Sequence, residues 1–250
     1  MGKFIKLFEN HTQYDEAKQN LILPNVSLCV TENEVHYNPY VDPYNGHAYV
    51  DLGLPSGTLW ATMNVGATKP EEYGLYFAWG ETEGYTADQI SGTATPHKAF
   101  DWPDYKFNPS GDGLTMSKYN EADGKTVLDI EDDAVAANWG GSWKMPTEAQ
   151  FQELLNTTYV TNTWVTDYQG SGIKGRLFTS VTNGNTLFIP AASYAYNGAI
   201  NYVGTYGNVW SSSLYRSNVK NGRYLYFHST NVYVTYNGRL YGRSVRGVVG

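Results

Sequence analysis

Glycine interrupts this chain 26 times in 250 residues, and between the interruptions apolar residues seldom recur at helical spacing for long. A chain punctuated in this way is expected to build short strands and many turns rather than a helical bundle. Charged residues at 16% beside 15% aromatics describe a globular protein, not a disordered one. The length suits one large domain, or one domain with a small accessory piece. No segment approaches the roughly 18 apolar residues that a membrane-spanning helix requires.

The first 45 residues differ from the rest. Thr12 with Asp15 can cap a short helix, Thr12 to Lys18. Leu21 to Tyr37 reads as two strand-like pieces around a polar turn at Glu32 and Asn33. The Asn-Pro, Asp-Pro and Asn-Gly pairs between Asn38 and Gly46 read as a linker, which divides the chain into 1–45 and 46–250. The second part opens on Ala48 to Ala67, two strands joined by a turn at Pro55 to Gly57. Gly74 to Gly80 is expected to be another strand, and Glu81 to Lys125 a long polar loop or insertion over the surface.

Two helices are expected. Thr126 to Ala137 places Val127, Ile130, Ala134 and Ala137 at helical spacing. Glu148 to Asn156 has a capping box in Thr147 and Gln150 and an apolar face in Phe151, Leu154 and Leu155. Beyond it everything reads as strand and turn, with strands at Arg176 to Val181, Thr186 to Pro190, Tyr224 to His228, Val232 to Tyr236 and Ser244 to Val249. Two helices followed by a run of strands make an α+β domain with short antiparallel sheets.

All 24 acidic residues lie at or before Asp167. From Gly170 to Gly250 there are eight lysines and arginines and no acid, so the remainder of the chain carries −15. Ten of the 22 tyrosines fall in the last 57 residues. Tyrosine offers a stiff, half-apolar contact surface at low entropy cost, and binding loops selected for versatility favour Tyr, Ser, Gly and Asn with occasional Arg. A Tyr-rich sheet with half its rings in the core explains any single tyrosine; the cluster as a whole favours a recognition surface. The net charge of −7 argues against nucleic acid as a general partner.

Several pieces in order carry a resemblance: Gly57-Thr-Leu-Trp-Ala, Asn64-Val-Gly-Ala, Tyr76-Phe-Ala-Trp-Gly-Glu-Thr, Trp139-Gly-Gly-Ser-Trp-Lys-Met-Pro-Thr-Glu-Ala, Gly207-Asn-Val-Trp-Ser-Ser-Ser and Ser244-Val-Arg. From Tyr49 to Gly250 the chain resembles the Fibrobacter major paralogous domain, a relative of the formylglycine-generating enzyme within the C-type lectin fold. The resemblance implies a C-type lectin-like domain in which Trp60, Trp79, Trp139, Trp143 and Trp210 are buried scaffold.

The C-terminal segment further resembles the variable region of proteins diversified by retroelements, in which Asn-type codons mutate while the codons between them stay fixed. The fixed-looking skeleton is Val203-Gly204, Gly207, Trp210 to Ser213, Leu225, Phe227, Ser229, Val232, Arg239, Gly242 and Ser244 to Arg246. The interleaved set is Tyr194, Tyr196, Asn201, Tyr202, Tyr206, Asn208, Tyr215, Arg216, Asn218, Arg223, Tyr224, Tyr226, His228, Asn231, Tyr233, Tyr236, Asn237, Leu240, Tyr241 and Arg243. Strand alternation lets Leu225 and Phe227 anchor the core while Tyr224, Tyr226 and His228 point outward, and Val232 and Val234 do the same for Tyr233 and, with a local shift, Tyr236. Tyr rings would stack on sugars or pack on apolar patches, and Arg216, Arg223 and Arg243 would meet acidic groups.

The start of the chain, Phe4 to His11 with Leu23 to Cys29 and Glu34 to Pro39, resembles leaders of virion proteins from phages of gut bacteria. It implies a segment that docks onto other virion or surface subunits, with display at a phage tail. Met1 to Asn10 does not read as a secretory signal, so external display is expected through assembly into a particle. The expected partner is a host cell-surface protein or glycan, with no nucleic acid and no membrane insertion; a fixed structural or assembly subunit is the alternative.

Catalysis is not expected. Catalytic relatives of the formylglycine-generating enzyme depend on a cysteine pair in the C-terminal half, whereas this chain has Cys29 alone. The histidines, His11, His36, His47, His97 and His228, lack metal spacing, and no Gly-x-Ser-x-Gly elbow is present. Glu131, Asp132 and Asp133 read as a solvated face or a capping device. Lectins of this fold commonly hold sugar through calcium, which needs several hard oxygen ligands. With no acid after Asp167 such a site is not expected, and neither a metal nor a cofactor is assigned.

Overall fold

The computed structural model describes residues 27–31 and 34–38 as backbone strands and residues 44–250 in full. The chain divides into two compact units, Met1–His47 and Ala48–Gly250. In the first, β1 (Ser27–Thr31) and β2 (Glu34–Asn38) pair antiparallel, from Ser27 opposite Asn38 to Thr31 opposite Glu34. The helix expected at Thr12 to Lys18 lies outside the described residues.

The second unit is built mainly of short antiparallel strands in small sheets, with three short α-helices among the described residues. β3 (Tyr49–Asp51) pairs with β4 (Leu59–Asn64), and the last strand, β14 (Arg246–Val249), returns to the other side of β4. β5 (Val160–Val165), β6 (Gly175–Ser180) and β7 (Thr186–Pro190) form a meander. β8 (Tyr194–Tyr196) lies between β9 (Ala199–Asn201) and β13 (Gly242–Arg243). β10 (Gly207–Leu214), β11 (Asn221–Phe227) and β12 (Val232–Gly238) form a second meander.

Helix α3 (Glu148–Leu154) starts where the sequence expects it: the Thr147 hydroxyl accepts from Gln150 N–H, and the Gln150 side chain accepts from Thr147 N–H. Its buried face, Phe151 and Leu154, joins Trp60, Val160, Phe178, Leu187, Ile189, Val209, Leu225, Phe227 and Val248 in one core. This core ties the two meanders to the β3–β4–β14 sheet. At the closing edge Arg246 donates to Asn64 Oδ1 (2.9 Å) and Ala61 O (2.9 Å), which gives the Asn64 and Ser244-Val-Arg motifs a common structural role.

Three expectations are corrected. Gly74 to Gly80 is not a strand: Tyr76 pairs with Tyr85, Phe77 with Arg243, and Trp79 N–H donates to Arg239 O, so the backbone is shared among separate partners instead of one neighbour. Gly74 and Gly80, at φ +73° and +80°, turn the chain at both ends of that segment. Residues 81–125 are not a polar excursion over the surface. They contain helix α1 (Ala87–Ser91), capped by a Thr86/Gln89 box, and they bury Ile90, Phe100, Tyr105, Phe107, Met116 and Tyr119. The helix expected over Thr126 to Ala137 is shorter. A 3-10 turn (Ile130–Asp132) precedes helix α2 (Ala134–Trp139), whose N-terminus is capped by Asp133, and Val127 and Ile130 face solvent.

Asp132 anchors that turn. It is buried and accepts from Lys106 Nζ (2.7 Å), Lys118 Nζ (2.5 Å) and Tyr119 OH (2.6 Å). Burial alone would raise its pKa, but these three donors outweigh burial and hold the carboxyl below its ordinary value of 3.8. A depressed folded pKa contributes stability that is present above the unfolded value and is lost as pH falls through the folded value. Acid unfolding is therefore expected to steepen below about pH 4. Asp132→Asn is expected to cost about 3 kcal/mol at neutral pH and to flatten the acid limb. Melting temperature against pH checks this, and superimposable profiles for the two proteins would contradict it.

Candidate functional site

The skeleton of the C-terminal segment is held by buried contacts. Trp210 is fully buried, and its Nε1 donates to Phe77 O (3.0 Å) and Tyr241 O (3.2 Å). Where the β10–β11 register shifts between Trp210 and Leu214, the three serines become junctions. Ser211 Oγ donates to Arg223 O, Ser212 N–H donates to Pro146 O, and Ser213 Oγ accepts from Glu148 N–H. Gly207 is fixed by its neighbour, because a Cβ there would lie 1.9 Å from the Phe227 ring. Arg239 is enclosed by Trp79, Tyr105, Phe107 and Tyr119 and donates to four oxygens.

Both faces of the β11–β12 ladder carry other residue types, with Tyr226 and Tyr233 on one and Arg223 and Tyr236 on the other. Leu225 and Phe227 go to the core, while Tyr226 stands on the opposite face beside its cross-strand partner Tyr233, with ring centroids 5.1 Å apart. From this pair the rings continue without a break. Tyr206 lies 5.6 Å from Tyr226, Tyr202 5.2 Å from Tyr206, and Tyr194 6.2 Å from Tyr202. Tyr241 lies 5.5 Å from Tyr194, and Tyr196 4.9 Å from Tyr241. His228 fits against both Tyr226 and Tyr206. The result is an aromatic floor that runs from the β10–β12 sheet across the 202–206 turn onto β8 and β13.

The floor is polar at its hydroxyls. Burial, followed by the neighbouring Tyr206, Tyr233 and Tyr224, pushes the Tyr226 phenol up to about 12. Tyr194 and Tyr241 are raised as well, first by burial. All three therefore stay protonated through neutral pH and can donate as well as accept. Tyr202, the most exposed ring at 59%, sits at φ +57°, a left-handed conformation that Asn adopts more readily than Tyr.

A second patch lies at the other end of β11. Tyr215 and Tyr236 stack at 3.6 Å, Arg223 lies over Tyr215 at 4.6 Å, and its Nε is 3.3 Å from Glu148 Oε2. Arg223 thus meets an acidic group of its own chain. Asn201 is half-buried near the floor, and Arg216, Asn218, Asn231 and Asn237 are exposed.

Four residues expected at the contact surface are not there. Asn208, Tyr224, Leu240 and Arg243 are buried, at 2%, 7%, 4% and 1% exposure. Tyr224 does alternate away from Leu225, but the Arg243 guanidinium lies 3.7 Å from its ring centroid and Trp210 packs its edge, so the ring is interior. Arg243 meets four aromatic rings and Asn208 Oδ1 rather than an acid. Conversely, the skeleton residues Val203 and Ser229 are exposed; Val203 follows Tyr202 in a turn, where strand alternation gives no signal.

Among the described residues, Asp129, Glu131 and Asp132 bring carboxylate oxygens close enough together for a metal ion. Lys118 Nζ already lies 2.7, 3.0 and 2.5 Å from the three, and Lys106 and Lys125 pair with Asp132 and Asp129, so the group reads as an ion-pair network. No helix of the described residues is long and apolar enough to cross a membrane.

Compared with models of protein families, with curated proteins and with solved structures, the chain finds no match.

Proposed function

We propose that this chain is a ligand-binding protein, a receptor-binding or adhesion molecule. Its aromatic floor is a diversified surface on a C-type lectin-like scaffold, and its first unit docks it to other subunits at a phage tail. The supporting observation is a separation by burial. Of the 20 interleaved residues only four are buried, whereas 12 of the 16 skeleton residues are. Types that tolerate replacement thus lie where replacement leaves the core untouched, and the residues between them are those the core needs. The reading is non-catalytic: the floor supplies ring faces and hydroxyl donors to a bound surface.

The test is a paired substitution. Tyr226→Ala with Tyr233→Ala removes two adjacent rings from the β11–β12 end of the floor; truncated aromatic anchors each cost about 2 kcal/mol or more of binding. Adhesion to host cells is expected to fall about 100-fold or more, while stability to denaturant changes by under about 1 kcal/mol. Undiminished adhesion would remove the floor from the account; collapse of the fold would reassign the two rings to the core. Tyr224→Ala, by contrast, belongs with the core substitutions.

A further inference from the structure

Resting on that reading of the floor, we infer that the partner it selects is an acidic protein surface, whose carboxylate side chains accept from the hydroxyls of Tyr194 and Tyr241, two of the rings that roof Arg243. The guanidinium of Arg243 lies under Tyr194, Tyr224 and Tyr241, with Trp210 beneath. It is 1% exposed and, among the described residues, forms no ion pair with a carboxylate. Its Nη1 donates to Asn208 Oδ1 (2.5 Å), while its Nε and the Asn208 Nδ2 have no hydrogen-bond partner. Buried cations are ordinarily paired or fully hydrogen-bonded. Arg239 shows the saturated alternative, with four oxygen acceptors.

A charge held in a low-dielectric surround is screened less than one in water. Two of the rings over Arg243, those of Tyr194 and Tyr241, are themselves half-buried. Residues 170–250 contain no acid to pair with it. Within the same unit, residues 48–169 carry 18 acids against six lysines and no arginine. A negatively charged partner is therefore repelled by the rest of the unit and drawn to the floor, the arrangement that gives electrostatic steering and register.

Breadth and composition point to a protein rather than a small ligand. The floor is a series of eight rings across two sheets and the turn between them, an open platform rather than the enclosed pocket that a small ligand takes, and further accessible positions flank it. Their Tyr, Asn and Arg content is that of antibody contact loops.

The experiment uses the full chain to select binders from a displayed library of one small domain with a randomised surface. Enriched clones are expected to be rich in Asp and Glu and to lose binding to the Tyr226→Ala, Tyr233→Ala chain. Their affinity is expected to fall about tenfold or more between about 50 and about 300 mM salt. Arg243→Met should weaken them by a similar factor; if that variant fails to fold, clone charge and salt dependence in the unaltered chain decide. Tyr-dependent clones that are neutral, basic or indifferent to salt would overturn the inference while leaving the floor as a binding surface. Clones indifferent to Tyr226 and Tyr233 would count against the floor itself. Tyr-dependent binding to an array of acidic glycans, with no acid-rich clones emerging, would overturn the protein assignment in favour of a carbohydrate.

Discussion

Arg239→Ala is expected to remove about 5 kcal/mol of stability, a large part of the total for a domain of this size. The side chain is fully buried. Nε donates to Tyr105 OH (2.8 Å), Nη1 to Tyr119 O (3.0 Å) and Val219 O (2.9 Å), and Nη2 to Lys118 O (3.0 Å). Truncation takes the donor from three backbone carbonyls and from Tyr105 OH, which still donates to Trp79 O, and opens a cavity among four aromatic rings, so desolvation and packing losses add. Those acceptors lie in the 81–125 segment and in the turn before β11, so the guanidinium is also the clasp between elements more than 100 residues apart. Arg239→Lys is expected to recover less than half, because an ammonium cannot reproduce the planar fork. Denaturant midpoints of the three proteins measure this; a loss under about 1 kcal/mol for the Ala variant would contradict it.

Trp210→Ala is expected to cost about 3 to 5 kcal/mol. It empties a site with no solvent exposure and orphans the Tyr241 carbonyl, while Phe77 O keeps the Arg243 N–H. It also removes the ring 4.6 Å below the Arg243 guanidinium, so Tyr194, Tyr224 and Tyr241 lose the support that fixes their roof. Binding and stability should therefore fall together, unlike the Tyr226, Tyr233 pair, in which binding falls alone. Trp210→Phe keeps most of the packing but leaves the Tyr241 carbonyl unpaired, at a cost of about 2 kcal/mol. Equilibrium unfolding beside an adhesion assay separates the cases, and a stable Trp210→Ala protein would show that the ring is not scaffold.

The contrast between these substitutions marks where sequence reasoning reaches its limit. Local signals carried through: the Thr147/Gln150 box starts α3, Thr186 to Pro190 is β7, and alternation separates Leu225 and Phe227 from Tyr226. Long-range burial did not. Asn208, Tyr224 and Arg243 have the residue types of a contact surface, and only the tertiary stack of Trp210, Arg243 and the outer tyrosines takes them inside. In residues 81–125 the buried rings follow no period, because they close around Arg239 from a distant part of the chain. The Thr86/Gln89 box was present in the sequence, but α1 buries Ile90 alone, too little apolar face to stand out.

Sequencing this coding region across many siblings of the source population separates a diversified surface from a fixed one. Substitutions are expected, in Asn-type codons, at the sixteen accessible interleaved positions between Tyr194 and Tyr241, with Trp210, Leu225, Phe227, Arg239 and Arg246 unchanged. A uniform sequence, or substitutions falling equally on that buried skeleton, would contradict the diversified surface and leave a fixed assembly subunit in its place.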